Sequence, residues 1–181
     1  MLSADQSLYS DDYRSFETTF SLLTQVIGRA GRRSARGKAV IQTCTPDNPV
    51  IELAAQQDYD GFYRLEIESR RMLHYPPFAA LFQFGFSGVR EETVRQAGQW
   101  MLERLRAAAT GEYADVPLIA LDPTPASVLR VAGKYRYKLL VKARDNARTR
   151  AMVRTVMQAF YAAPAFRTVS LFADINPASI L

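Results

Sequence analysis

The stretch VPLIALDPTPASVLRVAGKYRYKLLVKAR, residues 116–144, holds two apolar, β-branched runs separated by a short glycine-containing link. That pattern predicts two antiparallel strands joined at Gly133 and Lys134 in a hairpin-like connection. Side chains alternate across a strand, so Tyr135, Tyr137, Leu139, Val141 and Ala143 share one face of the second run. Arg136, Lys138, Lys142 and Arg144 share the other face, with only Leu140 among them.

Working outward, LFQFGFS at residues 81–87 alternates Phe82, Phe84 and Phe86 with Gln83, Gly85 and Ser87, the period of a half-buried strand. A helix is expected from about Glu91, with Val94, Ala97, Met101, Leu102 and Leu105 on one face and Trp100 near its edge. Met152, Val153, Val156, Met157 and Phe160 mark a second helix, and TVSLFAD closes as a strand. The order β, α, β, β, α, β predicts a ferredoxin-like antiparallel sheet with both helices on one face. The helices then cover the aromatic face of the hairpin strand and leave its other face as an open basic strip, extended by Arg130 and Lys134. Between Arg130 and Arg154 nine basic residues stand against one acidic residue, which admits two readings: a merely soluble sheet face, or a surface that neutralises nucleic-acid phosphates. No recognition-helix pattern accompanies it, so contact to backbone and shape is expected rather than base reading.

YPPF, residues 75–78, sets the boundary ahead of this domain, because consecutive prolines cannot continue a helix. Tyr75 and Phe78 read as packing around the turn, and His74, the only histidine, has no evident catalytic or metal partner. Upstream, residues 51–73 read as one helix with Glu66 and Arg70 as an i,i+4 pair, and residues 38–45 read as a strand ended by TPDNP. Tyr13, Phe16, Phe20, Leu23, Ile27 and Ala30 recur at helical spacing, with Ser10 or Asp11 available as a cap. The single cysteine, Cys44, can form neither an intrachain disulfide nor a cysteine-based zinc site and reads as a core thiol in a reducing compartment. No run reaches the ~18 apolar residues of a membrane span and no signal peptide opens the chain, so a cytoplasmic location without membrane partners is expected. Residues 1–79 hold 9 Lys+Arg against 10 Asp+Glu and residues 80–181 hold 14 against 8, so the basic excess belongs to the second half.

LLTQVIGRAGRRSARGKAV, residues 22–40, sets Gly28, Arg29, Gly31, Arg32, Arg33 and Arg36 directly behind an apolar helical run. Glycine inside a helix costs ~1 kcal/mol relative to alanine, so two of them three apart weaken the helix unless the backbone must approach something closely. Gln25, Arg29 and Arg32 fall at i, i+4 and i+7 and share a face away from Leu23, Ile27 and Ala30. Guanidinium forks suit the oxygens of a transferring phosphoryl group. Glycine–arginine pairs also occur in solvated or RNA-binding loops, and spacing alone leaves both readings open.

QVIGRAGR, residues 25–32, resembles the sixth motif of superfamily two helicases. Its flanks, ADQSLYSDDYRSFETTFSLL, GKAVIQTCTPDNP, DYDGFYRLEIESRRMLHYPPF and DPTPASVLRVAGKYRYKLLVKA, are similar over nearly the whole chain to the C-terminal part of the PriA (primosomal protein N′) family of replication-restart helicases. The resemblance implies an α+β chain in three parts: residues 1–46 as the remnant of a RecA-like helicase lobe (helix plus strand), residues 47–77 as a helical linker, and residues 78–181 as the ferredoxin-like domain. It also implies that Gln25 and Gly28 face ATP, with Arg29 or Arg32 as arginine finger. ATP and Mg would be bound only in the full-length 3′–5′ DNA helicase, and the family's zinc would lie outside this chain. Implied partners are forked or single-stranded DNA, single-stranded DNA-binding protein and other primosome proteins. The chain has no G-x-x-x-x-G-K-[ST] phosphate loop, no DEAH-like motif and no paired cysteines. The expectation is therefore a truncated piece, inactive alone as an ATPase, with Met1 and Leu2 standing where further sequence would lead into the lobe. The alternative from another class is a stand-alone, non-catalytic nucleic-acid or protein interaction module.

Overall fold

The computed structural model describes residues 5–10, 12–30, 38–178 and 180 and divides the chain into two units, Met1–Leu73 and His74–Leu181. The boundary thus falls four residues ahead of the expected 77/78. Residues 47–73 are not a separate linker, because their helices share a core with the helix before them.

In the first unit, α1 (Asp5–Leu8), α2 (Ser15–Ala30), α3 (Pro49–Gln56) and α4 (Tyr59–Met72) follow in order. Leu8, Phe20, Leu23, Val50, Ile51, Ala54 and Phe62 form the core, with the Phe20 and Phe62 rings stacked 4.1 Å apart. Asp12, rather than Ser10, makes the turn that starts α2: its carboxylate accepts from the Arg14 N–H and its carbonyl from the Ser15 N–H. Asp11 lies outside the described residues.

The run expected as one helix over 51–73 is two helices. Gln57 takes a left-handed conformation with φ 56°, and Asp58 caps α4 by accepting the Gly61 N–H. A Cβ on Gly61 would collide with the Asp58 carboxylate and stand 2.8 Å from Leu53 Cδ2, so a larger residue there would have to move one or both. The expected Glu66–Arg70 pair forms at 2.7 Å, and Arg70 also reaches Glu17 at 2.9 Å. Burial alone would lower the Arg70 pKa, but the hydrogen bonds to Glu66 and Glu17 outweigh it and the net direction is up.

Residues 38–45 do not form a strand. Among the described residues the first unit has no strand, and within this segment Gln42 alone makes a β-bridge. One carboxylate also holds the segment: Asp5 accepts from the Thr43 hydroxyl at 2.7 Å and the Cys44 N–H at 3.0 Å. Cys44 is exposed on this irregular segment, not a core thiol.

The second unit is a single antiparallel sheet carrying two helices. β1 (Ala80–Gly88) leads to α5 (Glu91–Thr110), then β2 (Leu118–Ala120), β3 (Thr124–Val131), β4 (Lys134–Ala143), α6 (Ala147–Ala162) and β5 (Ser170–Ile175). Strand β1 pairs with β4 on one side and β5 on the other, and β2 and β3 both pair with β4. The second expected strand is therefore broken in two, at Leu121, Asp122 and Pro123. The hairpin link is Ala132–Gly133, one residue earlier than expected, with φ values of 48° and 78°. Two successive positive φ values match the twist of a two-residue hairpin.

Phe82, Phe84, Phe86, Tyr137, Leu139 and Val141 meet Val94, Ala97, Met101, Leu102, Leu105, Met152, Val156 and Phe160 in one core. Each such Phe, fully withdrawn from water, is worth ~1.5–3 kcal/mol. Trp100 packs edge-on against Phe160 and Phe166, both at 5.8 Å.

Candidate nucleic-acid interface

Alternation sends Leu81, Gln83, Gly85 and Ser87 of β1 to the sheet face away from the helices, opposite Lys142, Leu140, Lys138 and Arg136 of β4. This second face is covered over much of its extent, contrary to the expected half-buried strand and open strip. Leu81 is fully buried and Gln83 keeps 1% of its surface, while Lys138 and Lys142 keep 7% and 9%.

Phe172 and Tyr75 supply part of the cover, and Asn176 fixes the sheet at Leu81. The Phe172 ring of β5 lies over Gly85, in the space a Cβ would fill. Asn176 clasps Leu81, its N–H donating to the Leu81 carbonyl at 2.7 Å and its side-chain oxygen accepting the Leu81 N–H at 2.9 Å. The Tyr75 ring stands 3.7 Å from the Lys142 ammonium. A buried ammonium needs compensation, and the negative face of an aromatic ring supplies it. Burial lowers the Lys142 pKa from its ordinary value.

The basic residues consequently separate into two groups. Arg130 and Lys134 are exposed and Arg136 is half-buried, all at the hairpin end, where the Arg130 guanidinium lies 5.0 Å over the Tyr135 ring. Arg144 is exposed at the opposite end of β4, roughly 26 Å from Arg136 at the rise of an extended strand. It lines a concavity of about 320 Å³ together with His74, Phe78 and Lys142. At the hairpin end, a second concavity of about 190 Å³ is bounded by Gly85, Ala126, Val131, Lys134, Arg136 and Phe172. Sequence reasoning passed over Phe172 and gave Tyr75 only a packing role. The usable signal for Phe172 was the alternation in TVSLFAD, which turns Leu171 toward the helices and Phe172 away from them.

In the first unit, Gln25, Gly28 and Arg29 are exposed on the last turns of α2, and Arg32 lies outside the described residues. A Cβ on Gly28 would meet only the end of Gln57, at 4.0 Å, so no neighbour in the described residues requires glycine there. Arg29 also suits the negative end of the helix dipole, a role that needs no ligand. Among the described residues, no group of three His, Cys, Asp or Glu side chains could hold a metal, and no helix is long and apolar enough to cross a membrane.

The sequence matches the primosomal protein N C-terminal domain family over residues 71–178. It is similar to the replication restart protein PriA of Synechocystis sp., 40% identical over 142 residues, which is 78% of this chain and 16% of that protein. The PriA of Bacillus subtilis is 32% identical over 177 residues, covering 98% of this chain and 21% of that one. For Chlamydia muridarum PriA the figures are 34% identity, 98% and 22%. The chain thus spans about a fifth of the length of these relatives.

Proposed function

The chain belongs to the primosomal protein N C-terminal domain family, and from that premise we propose that it is the C-terminal portion of an ATP-dependent DNA helicase that restarts replication. Its second unit supplies DNA contact. The observation that carries this is the cation group Arg130, Lys134 and Arg136, which stays accessible at the hairpin end while Lys138 and Lys142 are withdrawn. In this reading, Arg144 contributes a separate contact at the far end. The ferredoxin-like reading of the unit draws support from the strand sequence β5, β1, β4, with β2 and β3 together taking the place beside β4.

The first unit, read as the end of a RecA-like lobe, donates rather than holds. The phosphoryl group would be that of ATP bound with Mg in a longer protein; Gln25, Gly28 and Arg29 would approach it from the end of α2, and Arg32 is the other candidate finger. An exposed amide and guanidinium without a surrounding pocket in the described residues suit donation to a nucleotide bound elsewhere in a longer protein. Single-stranded DNA-binding protein and other primosome proteins are the proposed protein partners, and the cytoplasm is the proposed site of action.

The test is a salt titration of forked DNA by fluorescence anisotropy with the Arg130→Ala, Lys134→Ala, Arg136→Ala triple variant. Each lost phosphate contact flattens the log–log plot of affinity against salt by about 0.7–0.9, so three should flatten it by about 2.1–2.7. An unchanged slope overturns the DNA reading of this surface.

A further inference from the structure

The concavity at the hairpin end combines features that a phosphate-binding surface does not need. Phe172 sits on the outermost strand and retains 44% of its surface. It is held in place from below, because its ring lies over Gly85, where any larger residue would displace it. Beside it stand Lys134 and Arg136, with Ala126 and Val131 as apolar walls, and among the described residues no carboxylate lines the concavity. An apolar ligand would not call for two cations, and a simple anion would not call for a supported aromatic platform. A ligand with both a planar ring and flanking negative charge satisfies the whole set.

We propose that Phe172, Lys134 and Arg136 form a slot for one unpaired nucleotide of single-stranded DNA, its base stacked on the Phe172 ring and its flanking phosphates held by the two cations. A base within a duplex cannot reach the ring without leaving its stack, so the slot favours an unpaired strand over a double helix. Stacking needs only a π-face, so the slot tolerates any base. The inference rests on the DNA reading of the second unit and adds to it a strand preference that phosphate contacts alone do not give.

The full chain is titrated by fluorescence anisotropy against three probes: an oligo-dT, an abasic oligodeoxynucleotide of the same length, and a duplex. Wild type should prefer oligo-dT over the abasic strand by about 5- to 100-fold, the worth of one stacked base. Phe172→Leu, which keeps an apolar cover over Gly85, should erase that preference without changing the salt slope, and Phe172→Trp should keep it. Lys134→Ala with Arg136→Ala should do the reverse, flattening the slope by about 0.7 per contact while the preference survives. Equal wild-type affinity for oligo-dT and the abasic strand, with a normal salt slope, overturns the slot and leaves the DNA reading standing. Failure to bind any of the three probes, or forked DNA, overturns both. Trp100 fluorescence checks folding, and if Phe172→Leu unfolds the unit the wild-type comparison still decides.

Discussion

Replacing Lys142 by Met separates a structural lysine from a DNA-binding one. The ammonium lies beneath Tyr75 at 3.7 Å and the residue keeps 9% of its surface. Met keeps most of the apolar stem and removes the charge, so it forfeits the cation–π contact, worth about 0.5–2 kcal/mol, and relieves the desolvation of the ammonium. Burial lowers the Lys142 pKa, so desolvation penalises the charged form. Lys142→Met should therefore lie within about 1 kcal/mol of wild type or stabilise. Lys142→Ala instead removes three methylenes, at ~0.8 kcal/mol each, along with the ring contact, and should cost about 3–4 kcal/mol. Urea denaturation followed through Trp100 reads the second unit alone, since that residue is the only tryptophan, lies on α5 and packs against Phe160 and Phe166.

The pH dependence has a fixed sign. A lysine whose pKa is lower folded than unfolded leaves the unfolded state holding more protons between the two values. Wild-type stability should rise with pH through that window, up to the ordinary lysine value, and Lys142→Met should lose the rise. If Lys142→Met destabilises as much as Lys142→Ala, the charge itself holds the face together and the reasoning fails. If it flattens the DNA salt slope by about 0.7–0.9, the amine reaches a phosphate despite its cover.

Gly61→Ala should destabilise the first unit by about 1–3 kcal/mol, because the new methyl overlaps the Asp58 carboxylate and crowds Leu53 between α3 and α4. Loss of helical circular dichroism on heating, while the Trp100 transition stays in place, reads this out. Arg29→Ala and Arg29→Lys, with Arg32→Ala and Arg32→Lys, made in a full-length family helicase, should lower DNA-stimulated ATP turnover on the order of 10³-fold with little effect on DNA affinity, and near-normal turnover in all four would refute the arginine-finger reading.

Local rules succeeded where local residues decide the outcome. The core of the second unit was legible because Phe82, Phe84 and Phe86 alternate at period two and the helical stripes of α5 and α6 repeat at 3.6. The break at Gln57 escaped because it uses no proline at the turn and the residue entering the left-handed region is not glycine. The strand expected over 38–45 has the right composition, but pairing is a property of neighbours: it is limited to a single bridge at Gln42, and Asp5 supplies the hydrogen bonds beside it. The same logic explains the lysines. Lys138 and Lys142 occupy the predicted face, and their charge suggested exposure, yet Phe172 and Tyr75 come from distant stretches to cover parts of that face. A tyrosine ahead of two prolines carries no local sign that it will sit on a lysine 67 positions later.

The concavity at the hairpin end has an origin that links the turn to the candidate ligand. Between Pro125, opposite Tyr137, and Arg130, opposite Tyr135, β3 advances five residues while β4 advances two. The surplus cannot lie flat in the ladder, and Pro125 has no N–H to give it, so the chain is pushed off the sheet over residues 126–129. Val128 and Leu129 are carried into solvent, whereas Ala126 turns inward and is buried. The tight Ala132–Gly133 turn then restores pairing at Val131 and Lys134, so the surplus stays confined to the stretch opposite Arg136. A regular two-stranded ladder would leave no space beside Arg136, and its guanidinium would join a flat basic row. The bulged edge instead supplies a wall, and across β1 the Gly85–Phe172 pair supplies a floor. Restoring a regular ladder by deleting three residues from 126–129 should therefore close the slot and remove the oligo-dT preference, while Arg130, Lys134 and Arg136 remain to bind phosphate.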